Sequence, residues 1–299
     1  MAYYSGKVQR NMLVDKIVQL LTTAPVGSSE AYWKKVNSGT FQGDGYILKS
    51  SGKSGSNDIF IRFSNTTLTN AILVSVLEGY VPNVTQGIDG VITNESSKAT
   101  LYFHNVTYDG SFPVEYFLSF DRDKVILALR GDKSVDGKTF TSLLWAGMPD
   151  RLDTKGDTGS GAVSIAASRG AIAITGGTSS YTQLSRCRAL RDRGQELNAL
   201  TNMVTLGNVI GRSKGWGDNI MLPKIYLEDS TGVEGIRSIM DGVSPIYHDP
   251  VQAEFKDGDE IIQNSKRYTV LCVAYDGVSG YDHPNNCFPS TWMAMEQLL

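Results

Sequence analysis

Cysteine is scarce. The chain of 299 residues has only Cys187, Cys272 and Cys287. So small and odd a number excludes a disulfide framework as the source of stability. Charge of one sign is lacking too. The formal net charge is −3, so there is neither the basic footprint of a nucleic-acid binder nor a strong acidic field. No apolar run approaches the ~20 residues that cross a bilayer. The opening "MAYYSGKVQRN" has no apolar core of a secretory signal. The expectation is a protein made in a reducing cytoplasm, with no membrane and no nucleic-acid partner.

What is present points to a folded, β-rich chain. Hydrophobic residues make up 41% and charged residues 20%, which is enough apolar material for a core and excludes a disordered tail. Glycine is frequent, at 31, alongside many Tyr, Thr, Ser and Asn. That is the usage of strands separated by turns.

One helix is expected near the start. Leu13, Ile17 and Leu20 recur at helical spacing, Asn11 is placed to cap, and Pro25 ends the run. A second short helical piece is expected over 29–36. From Gly43 the period changes to two. In "DIFIRF", Ile59, Ile61 and Phe63 share a face; in "AILVSVLEGY", Ile72, Val74 and Val76 do. "ATLYFHNV", "VEYFLSF", "KVILALR" and "FTSLLW" follow at close spacing, as in antiparallel sheets. The stretch 150–222 is rich in Gly and Arg, and "CRALRDRGQELNALTNMV" within it has the look of a helix interrupted at Gly194. After it, "KIYLEDS" reads as a strand and "DGDEIIQNSKRYTVLCVAYDG" as a hairpin turning at Asn264 and Ser265. "TWMAMEQLL" is a last strand or a short helix. The expected class is α+β, mainly β: antiparallel sheets or a β-sandwich, with an N-terminal helix and a long Gly/Arg-rich excursion. The expected divisions are 1–36 helical, 37–149 β, 150–222 excursion and 223–299 β.

Several stretches bear on chemistry. Gly131 to Lys138 resembles a phosphate-binding loop, but five residues separate Gly131 from Gly137, where that loop has four. Asp132 and Asp136 would repel an anion, and a strand pattern follows where a helix is needed. "GKSG" at Gly52 to Gly55 lacks the upstream glycine. "DTGSG" from Asp157 to Gly161 looks like an aspartic-protease tetrapeptide, yet no apolar strand leads into it and no second copy supplies the paired carboxylate. Asp150, Asp153 and Asp157 are oxygen ligands without EF-hand spacing. Cys272, His283 and Cys287 lack a fourth zinc ligand. His104, His248 and His283 form no acid–base set, and nothing marks a base beside Cys187. Arg186, Arg188, Arg191 and Arg193 form the one dense basic cluster. With Asp192 and Glu196 close by, they read as a protein contact or a solvated face. "RGD" at Arg130 to Asp132 matches an adhesion tripeptide that three residues produce by chance. Four glycosylation triplets, at Asn65, Asn83, Asn94 and Asn105, read as chance as well. No catalytic residue, cofactor or metal ligand is assigned.

Two blocks carry a resemblance. "GYILKSSGKSGSNDIFIRFS" (Gly45 to Ser64) and "FLSFDRDKVILALRGDKSVDGKTFTSLLWAGMP" (Phe117 to Pro149) resemble successive segments of a family of tailed-bacteriophage virion proteins. A third, from Leu222 to Val273, is similar to that family's C-terminal block, with Met240-Asp241-Gly242-Val243 and Tyr268-Thr269-Val270 at its turn and strand positions. The resemblance departs over 150–219. It implies a structural tail component (baseplate, neck or tube-associated) that assembles into homo-oligomeric rings with other tail proteins and resides in the virion. A receptor-binding or adhesin module of a tail is the alternative. An aspartic-type protease centred on Asp157 is the third.

Overall fold

The computed structural model describes residues 1–39, 45–56, 58–64, 66, 71–82, 90–96, 98–102, 112–131, 141–151, 163–167, 182–186, 190–192, 195–197, 200–205, 222, 224–229, 236–246, 258–272 and 292–298. Every strand pairing among them is antiparallel. The α+β, mainly β class is what the chain adopts, with the helix near its start.

A six-stranded central sheet runs in the order Ala2–Gln9, Pro113–Phe120, Lys124–Gly131, Thr141–Gly147, Val163–Ala167, Thr182–Arg186. A front sheet runs Lys34–Lys35, Tyr46–Ser50, Ile59–Ser64, Ala71–Val81, Val91–Glu95, and Ala99–Tyr102 also pairs with Ala71–Val81. A C-terminal sheet runs Val243–Pro245, Trp292–Glu296, Lys266–Cys272, Glu260–Gln263. A fourth sheet joins Asp150–Arg151, Ile236–Met240, Ile225–Asp229 and Leu200–Thr205.

The helix Leu13–Leu21 presents Leu13, Val14, Ile17, Val18 and Leu21 to the space between the central and front sheets. There they join Ile59, Ile61, Phe63, Ile72, Val74 and Val76 from the front sheet and Val114, Leu118, Val125, Leu127 and Leu144 from the central one. The alternation expected for "DIFIRF" and "AILVSVLEGY" thus sets the inner face of the front sheet.

The central sheet does not alternate. Phe117, Ile126, Ala128, Leu143 and Trp145 point away from that core, yet each is buried. On this side lie the C-terminal sheet and the turn that leads into it: Gly242 approaches Ile126, and the Trp145 indole donates to the Asp241 carbonyl at 3.0 Å. Ser119 Oγ donates to the Glu296 carbonyl at 2.7 Å, and the Leu298 N–H donates back to Ser119 Oγ at 3.1 Å. A strand buried on both faces reads as an unbroken apolar run, which explains "VILAL" and "LLW".

Three local expectations are corrected. Asn11 does not cap the helix. It lies in a 3-10 turn, Arg10–Met12, that the Arg10 N–H anchors on the Phe112 carbonyl at 2.9 Å, and the cap position falls to Met12 without a side-chain bond. Residues 29–36 are not helical: Lys34–Lys35 pairs with Leu48 and Lys49, and Trp33 is buried with its indole N–H on the Asp121 carbonyl. These distant partners outweigh a weak local propensity. "CRALRDRGQELNALTNMV" contains strands, not an interrupted helix. Leu190–Asp192 pairs with Gln195–Leu197, and Leu200–Thr205 pairs with Ile225–Asp229. Val163–Ala167 and Thr182–Arg186, within the Gly/Arg-rich stretch, extend the central sheet.

The hairpin turn at Asn264 and Ser265 is as expected. Both residues have positive φ, 52° and 63°, and Gln263 pairs with Lys266 across them, the geometry of a two-residue primed turn. "TWMAMEQLL" resolves to the strand Trp292–Glu296.

Candidate functional site

A polar cluster is built on the turn "DRDK" between the second and third central strands. Phe120 pairs with Val125, so Asp121 to Lys124 make the turn. Asp121 Oδ1 accepts from the N–H groups of Asp123 at 2.8 Å and Lys124 at 3.0 Å, an Asx turn that explains an acid at this position. The turn then reaches outward in three directions. Toward the front sheet, the Asp121 carbonyl accepts from Trp33, the Arg122 carbonyl from Ser50 Oγ, and Asp123 Oδ1 from the Lys53 N–H at 2.7 Å. Toward the fourth central strand, the Met148 N–H donates to the Asp123 carbonyl at 2.8 Å. Toward the C-terminal sheet, Lys124 Nζ donates to Asp241 Oδ2 at 3.0 Å, and the Trp145 indole donates to the Asp241 carbonyl at 3.0 Å.

The charges are arranged in a chain. Lys53 Nζ lies 2.9 Å from Asp121 Oδ2 and 3.4 Å from Asp123 Oδ2. Lys124 Nζ lies 3.8 Å from Asp121 Oδ2. Asp121 Oδ2 has no aligned hydrogen bond, and the two ammonium groups hold it by charge. The side chains of Lys124 and Asp121 are each only 3% exposed. Burial pulls the Lys53 pKa down, but Asp121 and Asp123 outweigh it and the net shift is upward. Burial pushes the Asp241 carboxyl up, but the ammonium of Lys124, helped by Lys266, outweighs it and holds the pKa below the usual aspartate value.

Backbone shape is part of this junction. Gly147 has φ +150°, and a Cβ there would fall 2.2 Å from the Asp123 carbonyl oxygen. Only glycine lets the strand pass so close to the turn. Such a cluster fastens three sheets together. Each of its three carboxylates lies against an ammonium group.

A second polar zone ties the C-terminal sheet to the edge of the central one. Tyr3 Oη and Thr269 Oγ1 are 2.9 Å apart, and Gln297 Nε2 donates to both Thr269 Oγ1 at 3.1 Å and Glu260 Oε1 at 2.6 Å. Burial raises the Tyr3 pKa more than the Thr269 bond lowers it.

The residues singled out in the sequence do not converge. Gly131 closes a central strand opposite Val114, and 132–140 lie outside the described residues. In "GKSG", Lys53 turns inward to Asp121 and Asp123 rather than outward to an anion. Arg130 of "RGD" donates through Nε and Nη2 to Glu115 Oε2, at 2.9 and 2.5 Å, with its guanidinium 5.5 Å from the Phe117 ring, so it is engaged within the sheet. Asp150 pairs with Ile239 in the fourth sheet; Asp153 and the stretch Asp157 to Gly161 lie outside the described residues. Cys272 is placed opposite Trp292, while His283 and Cys287 lie outside. Arg186 and Arg191 sit in strands, with Arg191 opposite Glu196. Arg188, Arg193, Cys187, His104, His248, Asn65, Asn83 and Asn105 lie outside, and Asn94 is in the strand Val91–Glu95. No group of three or more His, Cys, Asp or Glu side chains able to hold a metal occurs among the described residues, and no helix there is long and apolar enough to cross a membrane.

The junction itself escaped the sequence reading. "DRDK" announces a turn, but nothing local says that Lys53 and Asp241 come to meet it. Compared with protein-family models and with curated proteins, the chain matches none.

Proposed function

We propose that this chain is a structural subunit of a tailed-bacteriophage virion, a tail component at the baseplate, neck or tube. In this reading it assembles with copies of itself, as a ring, and with other tail proteins. It carries no catalytic residue, cofactor or metal, and resides in the particle after synthesis in the host cytoplasm.

The observation that carries the reading is the use made of the resembling blocks. Gly45 to Ser64 forms a front-sheet hairpin, Phe117 to Pro149 forms three adjacent central strands, and the C-terminal block supplies Asp241 and three of the four strands of the C-terminal sheet. The ionic junction bolts these three blocks to one another. Polar chemistry used for rigidity suits a part that must hold its shape under load in repeated contacts.

The test is location. An antibody or tag on the chain is imaged on purified particles by electron microscopy, and the isolated chain is weighed by sedimentation. Labelling at one level of the tail, with a ring-sized species in solution or on mixing with tail partners, is expected. Absence from purified particles, together with a monomer at every concentration with and without those partners, overturns the proposal.

A further inference from the structure

We infer that the strand Ala2–Gln9 is a docking edge that accepts an extended strand of another polypeptide, beneath a roof formed by Glu260–Gln263. The inference stands independently of the phage reading.

The phase of two ladders identifies the free backbone groups. The Arg10 N–H donates to the Phe112 carbonyl at 2.9 Å, and the Asp121 N–H to the Lys124 carbonyl at 3.1 Å. With the observed registers, Val114, Tyr116, Leu118 and Phe120 direct their N–H and C=O groups to strand 2–9, and the residues between them direct theirs to strand 124–131. In strand 2–9, Ala2, Tyr4, Gly6 and Val8 therefore complete the ladder. Tyr3, Ser5, Lys7 and Gln9 point their backbone groups away from the sheet. No described strand pairs on that side. Ser5, Lys7 and Gln9 are exposed, and nothing from Tyr3 to Gln9 is buried. A run of this length without proline is a template for strand addition.

The second observation lies in the layer above. Strand 292–296 sits over strand 113–120 through Ser119, and strand 266–272 sits over strand 2–9 through Tyr3 and Thr269. Glu260–Gln263 is the next strand of that layer, on the side away from strand 292–296 and toward the open edge. Thr269 faces the central sheet, Glu260 is directly opposite Thr269, and Ile262 is two residues on. Ile262 thus faces the level of the central sheet, yet it is 72% exposed. It points at the place an added strand would occupy.

The occupant's chemistry follows. It is extended, to meet the outward N–H and C=O groups. It carries an apolar side chain under Ile262 and, an even number of residues along the same face, an acidic side chain beside exposed Lys7. Symmetric pairing with strand 2–9 of a second copy does not fit. The two-fold axis would stand perpendicular to the sheet and would bring the copy's strand 260–263 onto the place of this chain's strand 266–272.

The test uses the full chain and fluorescein-labelled peptides of about ten residues, alternating Thr and Val with one Glu near either end. Saturable binding is expected, with slowed hydrogen exchange at the amides of Tyr3, Ser5, Lys7 and Gln9. Ser5→Pro removes an edge donor without touching the internal ladder, and Ile262→Asp alters an exposed roof. Each keeps the wild-type melting temperature and weakens binding about tenfold. If the free chain self-associates with these amides protected, and Ser5→Pro abolishes both, a neighbouring copy donates the strand and the inference is supported. It is overturned if no peptide binds saturably, if alternate N-methylation of the peptide or Ser5→Pro leaves binding unchanged, or if the four amides are already protected in the monomer.

Discussion

Replacing Lys124 by Met tests whether the ionic junction stabilises the fold. Met keeps most of the aliphatic stem and removes the ammonium. Lys124 and Asp121 are both almost fully enclosed, whereas Asp241 is 41% exposed and can be solvated. The cost therefore falls on Asp121. Breaking a buried pair by removing one partner costs ~3–5 kcal/mol. Asp121 keeps two backbone donors and Lys53 at 2.9 Å, which brings the cost to or just below the lower end of that range, about 2–3 kcal/mol. For a chain of this size that lowers the melting temperature by roughly 4–8 °C. Lys53→Met is the control. Its side chain is 52% exposed, and the expected cost is only about 0.5–1 kcal/mol. Urea unfolding followed by tryptophan fluorescence reads both, because Trp33 and Trp145 each bond a carbonyl of the junction. The double variant Asp121→Asn/Lys124→Met, with no orphaned charge, should be more stable than Lys124→Met alone. The reasoning fails if Lys124→Met matches or exceeds the wild type, or if Lys53→Met is the costlier change.

Gly147→Ala should destabilise by about 3 kcal/mol or more, because the added Cβ meets a carbonyl oxygen in a conformation that L residues avoid; differential scanning calorimetry checks it, and an unchanged melting temperature would contradict the close approach. Asp241 gives a pH test. Its folded pKa is depressed, so its contribution is present above the unfolded value and is lost as pH falls through the folded one. The stability gap between wild type and Asp241→Asn should be constant above about pH 5 and close below about pH 4; a gap that widens in acid would reverse the assignment.

The legible parts of the sequence were those with a local cause. Ile59, Ile61 and Phe63 alternate because one face of the front sheet meets the core. Asn264 announces a primed turn because Asn tolerates positive φ, and Ser265 follows it into that region. The helix register showed in Leu13 and Ile17, but its start did not. The preceding strand, tied down at Arg10, sets where the chain can begin to coil. In the misread pieces, Lys34–Lys35 and Leu200–Thr205 are strands whose partners lie elsewhere in the chain, while Leu190–Asp192 pairs locally with Gln195–Leu197. The junction was invisible for the same reason: Lys53, Lys124 and Asp241 are far apart in sequence, and nothing near any of them records the others. The expectation of no catalytic or metal site rests on the sequence.

The central sheet is closed on both sides, and the second closure comes late. Ile126 meets Gly242, the Trp145 indole donates to the Asp241 carbonyl, and Ser119 is tied to the end of the strand Trp292–Glu296. Roughly 150 residues separate Trp145 from Glu296, and at ~5–20 residues per second a ribosome takes on the order of ten to thirty seconds to make them. Throughout that interval a nascent chain carries a sticky apolar wall that only its own unfinished end can hide. Yield in the cell should therefore depend on chaperone supply and on translation speed through the second half of the message. Chains interrupted before residue 292 should be cleared or aggregate rather than persist as partial folds.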